Sequence, residues 1–212
     1  TGGIILSMFF QYYRAQPLWI PIKWNVIFLV INAVMIGQIY YEYLTAENVT
    51  EEQKTIYTKL FRDLGMNNVS YFRLMSCAER LELQKGELLI EAGKHNDHLS
   101  LVVSGSLNVI REGEAVNTIE PDQFCGEMSF LQWKDELRKH LLQDPVAEPD
   151  TVHINGVGNI AASDDGAIVY RWNFWDLHKL FLRDMSVGVV VERLLSNDLN
   201  NKLQNNWKEE PV

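Results

Sequence analysis

Hydrophobic positions change their spacing twice along this chain, and each change marks a different kind of structure. The first 45 residues carry two apolar runs. Gly2 to Tyr13 is largely apolar and uncharged. After the break Arg14-Ala15-Gln16-Pro17, a second run reads Trp24-Asn25-Val26-Ile27-Phe28-Leu29-Val30-Ile31-Asn32-Ala33-Val34-Met35-Ile36-Gly37. Extended to Leu44 it is long enough to cross a bilayer, which takes about 20 residues of helix. Trp19 and Trp24 lie at one end, and Tyr40, Tyr41 and Tyr43 at the other. Aromatic residues at both ends suit the two membrane interfaces. Residues 1–45 are therefore expected to form a transmembrane hairpin, its first span entered part-way at Thr1. The competing reading is a buried core helix, which Asn25, Asn32 and Gln38 favour.

From residue 46 the spacing becomes that of surface helices. Thr50-Glu51-Glu52-Gln53 is a capping box. Ile56, Leu60 and Leu64 follow at fourfold spacing, and Gly65 closes the helix. A second helix follows Asn68 with Phe72, Leu74, Met75 and Ala78. After Arg80 the period drops to two. Leu81-Glu82-Leu83-Gln84, Leu88-Leu89-Ile90, Leu99 to Val103, Ser106 to Arg111 and Ala115 to Ile119 read as short strands. Turns are expected at Lys85-Gly86-Glu87, Gly93, Ser104-Gly105 and Gly113. Strands resume at Asn159 to Ala162 and Ala167 to Trp172, around a turn at Asp164-Asp165-Gly166. Many short strands with glycine turns predict a small β sandwich or barrel. Asn173 caps a helix with Phe174, Leu177, Leu180 and Phe181. A final helix from Met185 to Leu203 carries Val187, Val191, Leu194, Leu195, Leu199 and Leu203. The tail 204–212 reads as disordered.

Composition narrows the chemistry. The 212 residues leave room for one domain, 46–203, behind the membrane segment. A net charge of -9 argues against nucleic acid as a partner. Cys77 and Cys125 form no CxxC site or disulfide framework, and reduced thiols suit a cytosolic face. Lys54, Lys59 and Arg62 after the second span, against Arg14 and Lys23 before it, favour a cytoplasmic C-terminal domain. The five histidines show no metal-ligand spacing. No carboxylate pair, triad or phosphate loop stands out, so an enzyme is not expected.

Phe124-Cys125-Gly126-Glu127-Met128-Ser129-Phe130-Leu131 is the most telling stretch. It resembles the first half of the phosphate cassette of cyclic-nucleotide-binding domains, F-G-E-[LIM]-[SA]-x-L, whose second half carries P-R-x-A. Gly126 would let the backbone approach a ligand. Backbone N–H groups at Gly126, Met128 and Ser129 would hold phosphate oxygens, and Glu127 would hold a ribose hydroxyl. Lys85-Gly86-Glu87, Gly93 and Leu101-Val102-Val103-Ser104-Gly105-Ser106-Leu107 resemble the first half of the same domain, and the last two helices its hinge and lid.

Within that superfamily the chain resembles the Popeye-domain family through Pro21-Ile22-Lys23-Trp24-Asn25, Leu99-Ser100-Leu101, Ser163-Asp164-Asp165 and Asn201-Lys202-Leu203. The resemblance implies a β jelly roll with flanking helices behind short membrane spans. It further implies a membrane-anchored cAMP effector, a homodimer, acting on membrane protein partners. Cyclic AMP is the implied ligand and no cofactor is implied. The implied ligand residues are Gly126, Glu127, Met128, Ser129, Asn159, Ile160 and Ala161. Two departures stand out. Popeye proteins carry aspartate-serine-proline-glutamate where this chain has Cys125-Gly126-Glu127-Met128, and phenylalanine-glutamine-valine-threonine near Val157-Gly158-Asn159-Ile160. The cassette arginine expected near Val157 is missing, and a long polar segment, 132–156, separates the cassette halves. Lys134, Arg138 and Lys139 are candidate substitute cations, with Arg171 a more distant one. Trp133, Trp172 and Trp175 are candidate purine caps or core residues. The rival reading is the same fold without ligand, serving as a dimerisation scaffold.

Overall fold

The computed structural model describes residues 2–13, 19–45, 49–143 and 152–209. The break predicted at Arg14 to Pro17 and the final residues 210–212 lie outside them. The chain divides into two compact units, 1–49 and 50–212.

The first unit holds α1 (Gly2–Tyr12) and α2 (Trp19–Thr45). By length and composition Trp19–Tyr41 can cross a membrane, and α1 is a shorter apolar helix. The two helices touch through Tyr12 and Trp19, edge to face at 6.5 Å. Asn25 Nδ2 donates to Gln11 Oε1 at 3.1 Å, and Asn32 Nδ2 to Phe28 O at 2.7 Å. Asn25 and Asn32 thus find partners within the unit, as polar groups in an apolar helix pair do.

The second unit begins with α3 (Glu51–Ile56), which widens into a π turn at Tyr57–Phe61 and tightens into a 3-10 turn at Arg62–Leu64. Thr50 and Gln53 form the predicted capping box, and Gly65 ends the run at φ +85°. α4 (Asn68–Ser76) follows, capped by Asn67. Six strands come next: β1 (Glu79–Leu83), β2 (Leu88–Ile90), β3 (His98–Arg111), β4 (Glu114–Ile119), β5 (Phe124–Cys125) and β6 (Asn159–Asn173). Between β5 and β6 runs α5 (Glu127–Gln143). α6 (Phe174–Arg183) and α7 (Met185–Glu209) complete the chain.

Two predicted turns are not turns. Ser104-Gly105 and Asp164-Asp165-Gly166 lie inside the continuous strands β3 and β6. The pairing register shifts there, between Val102 and Ser104 and between Gly105 and Leu107. Gly105 (φ +73°) and Gly166 (φ +72°) are opposed bulges: a Cβ on Gly105 would lie 2.1 Å from Gly166 O. A bulge bends and twists its strand without ending it. The two long strands therefore fold over together. On one side of the bend β6 pairs with β1 and β3 with β5; on the other β6 pairs with β2 and β3 with β4. All these pairings are antiparallel, and the doubled sheet is the expected jelly roll.

The bend creates two apolar layers. Leu83, Ile90, Val102, Leu107, Cys125, Ala162 and Val169 fill the inside of the curled sheet. The helices cover the outside through Phe61, Leu74, Leu99, Leu101, Phe130, Trp133, Trp172, Phe174, Leu177 and Val191. Trp172 Nε1 donates to Leu74 O at 2.8 Å, tying α4 to β6. Asn173 caps α6 as expected. α7 continues past the predicted end at Leu203 to Glu209, since no glycine or proline stops it before Pro211.

Candidate ligand site

β5 turns into α5 at one residue. Phe124 faces the helical layer and Cys125 the inside of the sheet, both buried. Gly126 then adopts φ +85°, and a Cβ on it would sit 2.8 Å from His98 O. Only glycine fits there without displacing backbone. Gly126 O accepts the first intrahelical bond, from Phe130 N–H at 3.0 Å. The N–H groups of Glu127, Met128 and Ser129 precede that bond and stand at the positive end of a 17-residue helix.

Asn96 faces the same turn. Its backbone N–H donates to Ile154 O at 2.8 Å, and its Oδ1 accepts His98 N–H at 3.4 Å. Its Nδ2 would lie 3.2 Å from a Gly126 Cβ. That amide nitrogen is buried and has no hydrogen-bond partner among the described residues. A buried donor left unmade costs about 1–3 kcal/mol, so an acceptor arriving here would be favoured.

The remaining expected site residues sit as follows. Met128 is exposed and Ser129 buried. Ile160 pairs with Ile90, and Ile90 Cδ1 would lie 3.6 Å from a Gly126 Cβ. Ile90 thus joins the cassette glycine to the start of β6. Ala161 is buried in the sheet opposite Asn108 and Leu88. Asn159 Oδ1 accepts the Ala92 N–H at 2.7 Å, holding the β2 side of the barrel closed.

Glu127 is buried and paired. Its Oε1 accepts from Lys202 Nζ, on α7, at 2.8 Å. Lys202 also bonds Asp198 Oδ2 at 2.8 Å and donates to Phe124 O. Asp198 Oδ2 accepts the Phe124 N–H at 3.1 Å. The side chains are 16% exposed for Lys202 and 10% for each carboxylate, so water screens them little. Burial alone would depress the Lys202 pKa; Glu127 and Asp198 outweigh it and hold it above the ordinary lysine value. Burial, reinforced by Glu127, pushes the neighbouring Cys125 thiol far up, so it stays protonated and unreactive.

The substitute cations expected from sequence are committed elsewhere. Lys134 pairs with Glu192, Arg138 with Asp135, Lys139 with Asp135 and Glu136, and Arg171 with Glu79. They lie on helix faces or strand edges among carboxylates. The polar segment carrying the first three is α5 itself, extended to Gln143; residues 144–151 lie outside the described ones. Trp133 and Trp172 are core residues. Trp175 borders a cavity of about 250 Å³ with His95, Asp97, Trp133, His153 and Asn173.

Sequence reasoning missed Asn96, Asp198 and Lys202. A signal for the last two was present: the apolar stripe Val187, Val191, Leu195 of α7 runs straight into Asp198 and Lys202.

A family model described as POPDC1-3 matches residues 1–208. The chain belongs to the Popeye family. Popeye domain-containing protein 3 of Gallus gallus is 27% identical over 185 residues, and that of Homo sapiens 26% over 183. Each match covers 85% of this Popeye chain but 55% and 57% of the relative, so the chain spans little more than half their length. A cyclic nucleotide-binding domain from Methylobacillus flagellatus superposes with a TM-score of 0.57 at 17% identity, covering 74% of this chain and 80% of that one. The C-linker/CNBHD of zELK channels, crystallised in the presence of cAMP, gives 0.54 at 13%, covering 76% and 69%. These likenesses establish the cyclic-nucleotide-binding-type fold of the Popeye chain.

Proposed function

We propose that this protein is a membrane-anchored cyclic-nucleotide sensor with cAMP as its ligand, acting through protein partners rather than by catalysis. One observation carries the reading. The unpartnered Asn96 Nδ2 and the first-turn N–H groups of α5 converge beside Gly126, where no Cβ intrudes. Donors gathered at a helix start suit an anionic phosphate. Glu127 holds the ribose, the N–H groups of Gly126, Met128 and Ser129 with Asn96 hold the phosphate, and Asn159, Ile160 and Ala161 form the wall. The missing arginine sets affinity roughly a hundredfold below a site that has one. Titration calorimetry of the full chain in detergent micelles with cAMP and cGMP tests this. Heat of binding is expected for cAMP; none at millimolar ligand overturns the reading.

α2 supplies the anchor, and the second unit faces the cytoplasm. Cys77 is exposed, so an impermeant maleimide should label it only after cells are permeabilised. Labelling of intact cells would reverse the orientation. The protein acts as a homodimer with membrane protein partners, which light scattering of the purified chain would test by mass.

A second reading is a ligand-free dimerisation scaffold. The pairing of Glu127 with Lys202 favours it, because the cassette carboxylate already has an internal partner.

A further inference from the structure

The buried face of α7 changes character along its length. Val187, Val191 and Leu195 lie in the core, and the next positions on that face are Asp198 and Lys202. Two leucines there would extend the apolar stripe. Charges on a core-facing stripe are costly unless every one is paired and hydrogen-bonded.

What they touch explains them. β5 has only two residues and pairs with β3 alone. The Phe124 N–H and C=O are buried groups that must find partners elsewhere. Asp198 accepts from the first and Lys202 donates to the second. Asp198 and Lys202, one helical turn apart, therefore substitute for a missing strand. Lys202 then reaches beyond β5 to Glu127 on the first turn of α5. An ammonium has three protons to donate. Phe124 O, Asp198 and Glu127 take all three, so Lys202 is not a free cation standing in for the cassette arginine. The cluster carries two carboxylates against one ammonium, which would repel a phosphate while it remains intact.

The geometry points to a charge clamp: Asp198 and Lys202 pin the end of α7 to the cassette, and a ligand that takes Glu127 Oε1 from Lys202 loosens it. Glu127 is 8% exposed and its Oε1 accepts from Lys202, so a hydroxyl that takes that oxygen displaces the ammonium. Release of Lys202 takes the ammonium from Asp198 and the donor from Phe124 O together, and leaves Asp198 with the Phe124 N–H alone. The turns of α7 beyond Leu195 then lose their tie to α5 and keep one buried hydrogen bond to β5. Occupation of the cassette and loosening of the α7 terminus become one event. The clamp stands on these contacts alone, whereas its release by ligand rests on the cyclic-nucleotide reading above.

Hydrogen–deuterium exchange on the full chain in detergent micelles tests the clamp without any ligand. Lys202→Gln should speed exchange in both 122–130 and 196–204 by about tenfold or more, because a buried charge loses its partner. β3 should keep its protection, which excludes general unfolding, and Lys202→Arg should retain most of the protection in both segments. Asp198→Asn should loosen the same two segments. Unchanged exchange in Lys202→Gln overturns the clamp. Calorimetry with cAMP then tests release. Lys202→Gln should bind about tenfold more tightly than the unaltered chain, the competing ion pair being gone. Equal or weaker binding overturns the coupling. Absence of cAMP binding in both proteins, with exchange still accelerated, would overturn the sensor reading and leave the clamp supported.

Discussion

Two lysines in this protein each hold two carboxylates at 2.8 Å, and the resemblance ends there. Lys139 bridges Asp135 and Glu136 on the outer face of α5, with side chains 55%, 44% and 47% exposed. Lys202 bridges Asp198 and Glu127 beneath α7, with 16%, 10% and 10%. Distance and stoichiometry are the same. At the surface, water screens the charges and solvates whichever partner is removed, so such pairs contribute little. Under α7 neither solvation nor screening is at hand, and loss of one partner leaves charges stranded. A list of ion pairs would rank the two clusters together; burial separates them.

The strongest way to break this contrast is Lys202→Met. It leaves Glu127 and Asp198 facing each other in a dry place, and should lower unfolding free energy by about 3–5 kcal/mol in denaturant titrations. A loss below about 1 kcal/mol would mean that water reaches the cluster and that the two lysines are alike after all.

Gly126→Ala comes next. Its φ of +85° and the 2.8 Å approach to His98 O mean that a methyl group must push the first turn of α5 aside. That turn carries Glu127, so the substitution strains the backbone and draws Glu127 from Lys202. A cost of about 1–3 kcal/mol is expected in the same titration. Gly113→Ala, at φ +89° with open space around it, should cost less. Equal costs would show that conformation alone matters and that the cassette contact does not.

Alkaline pH sharpens the contrast further. Both lysines have pKa values held above normal, Lys202 against the pull of burial and Lys139 chiefly by its hydrogen bond to Asp135. A raised folded-state pKa gives stability that is complete below the unfolded value, about 10.4, and is lost as pH climbs through the folded value. Cys125 adds an earlier decline. Burial keeps its thiol protonated in the fold, while the unfolded thiol ionises from about pH 8.5. Stability should therefore fall from about pH 8.5 at up to about 1.4 kcal/mol per pH unit, then more steeply above about pH 10.4 as Lys202 joins. Lys202→Met should lessen the second steepening and leave the part due to Tyr71 and Tyr170, whose hydroxyls burial also keeps protonated in the fold. A steepening undiminished in that variant would assign it to those tyrosines or to Lys139.

Much of the fold was legible in the sequence because local signals agreed with the final structure. The capping box at Thr50, the glycine stop at Gly65 and the Asn173 cap all act within a few residues. The opposed bulges at Gly105 and Gly166 were read as turns because a glycine at positive φ looks the same in both. Only the neighbouring strand tells them apart, and that strand is about sixty residues away. The glycine turn into a helix was legible at Gly126 and Glu127, since their spacing is local. The partners of Glu127 were not, because Lys202 lies seventy-five residues on and reaches it through the docking of α7. Lys134, Arg138 and Lys139 looked nearer in sequence, but helix periodicity pairs them with acids of their own or a neighbouring helix. The apolar stripe of α7 ending in two charges was the one sequence clue to a buried ionic contact.

The smallest effect completes the test of the comparison. Lys139→Gln removes the same charge as a change at Lys202, from a lysine with the same two 2.8 Å contacts. Asp135 and Glu136 then turn to water, and Arg138 still pairs with Asp135. The denaturation midpoint should match that of the unaltered chain within error, and added salt should change neither. A clear loss of stability would mean that a feature of α5 other than exposure gives its surface pairs their worth. Burial would then no longer explain why one lysine locks the cassette and the other decorates a helix.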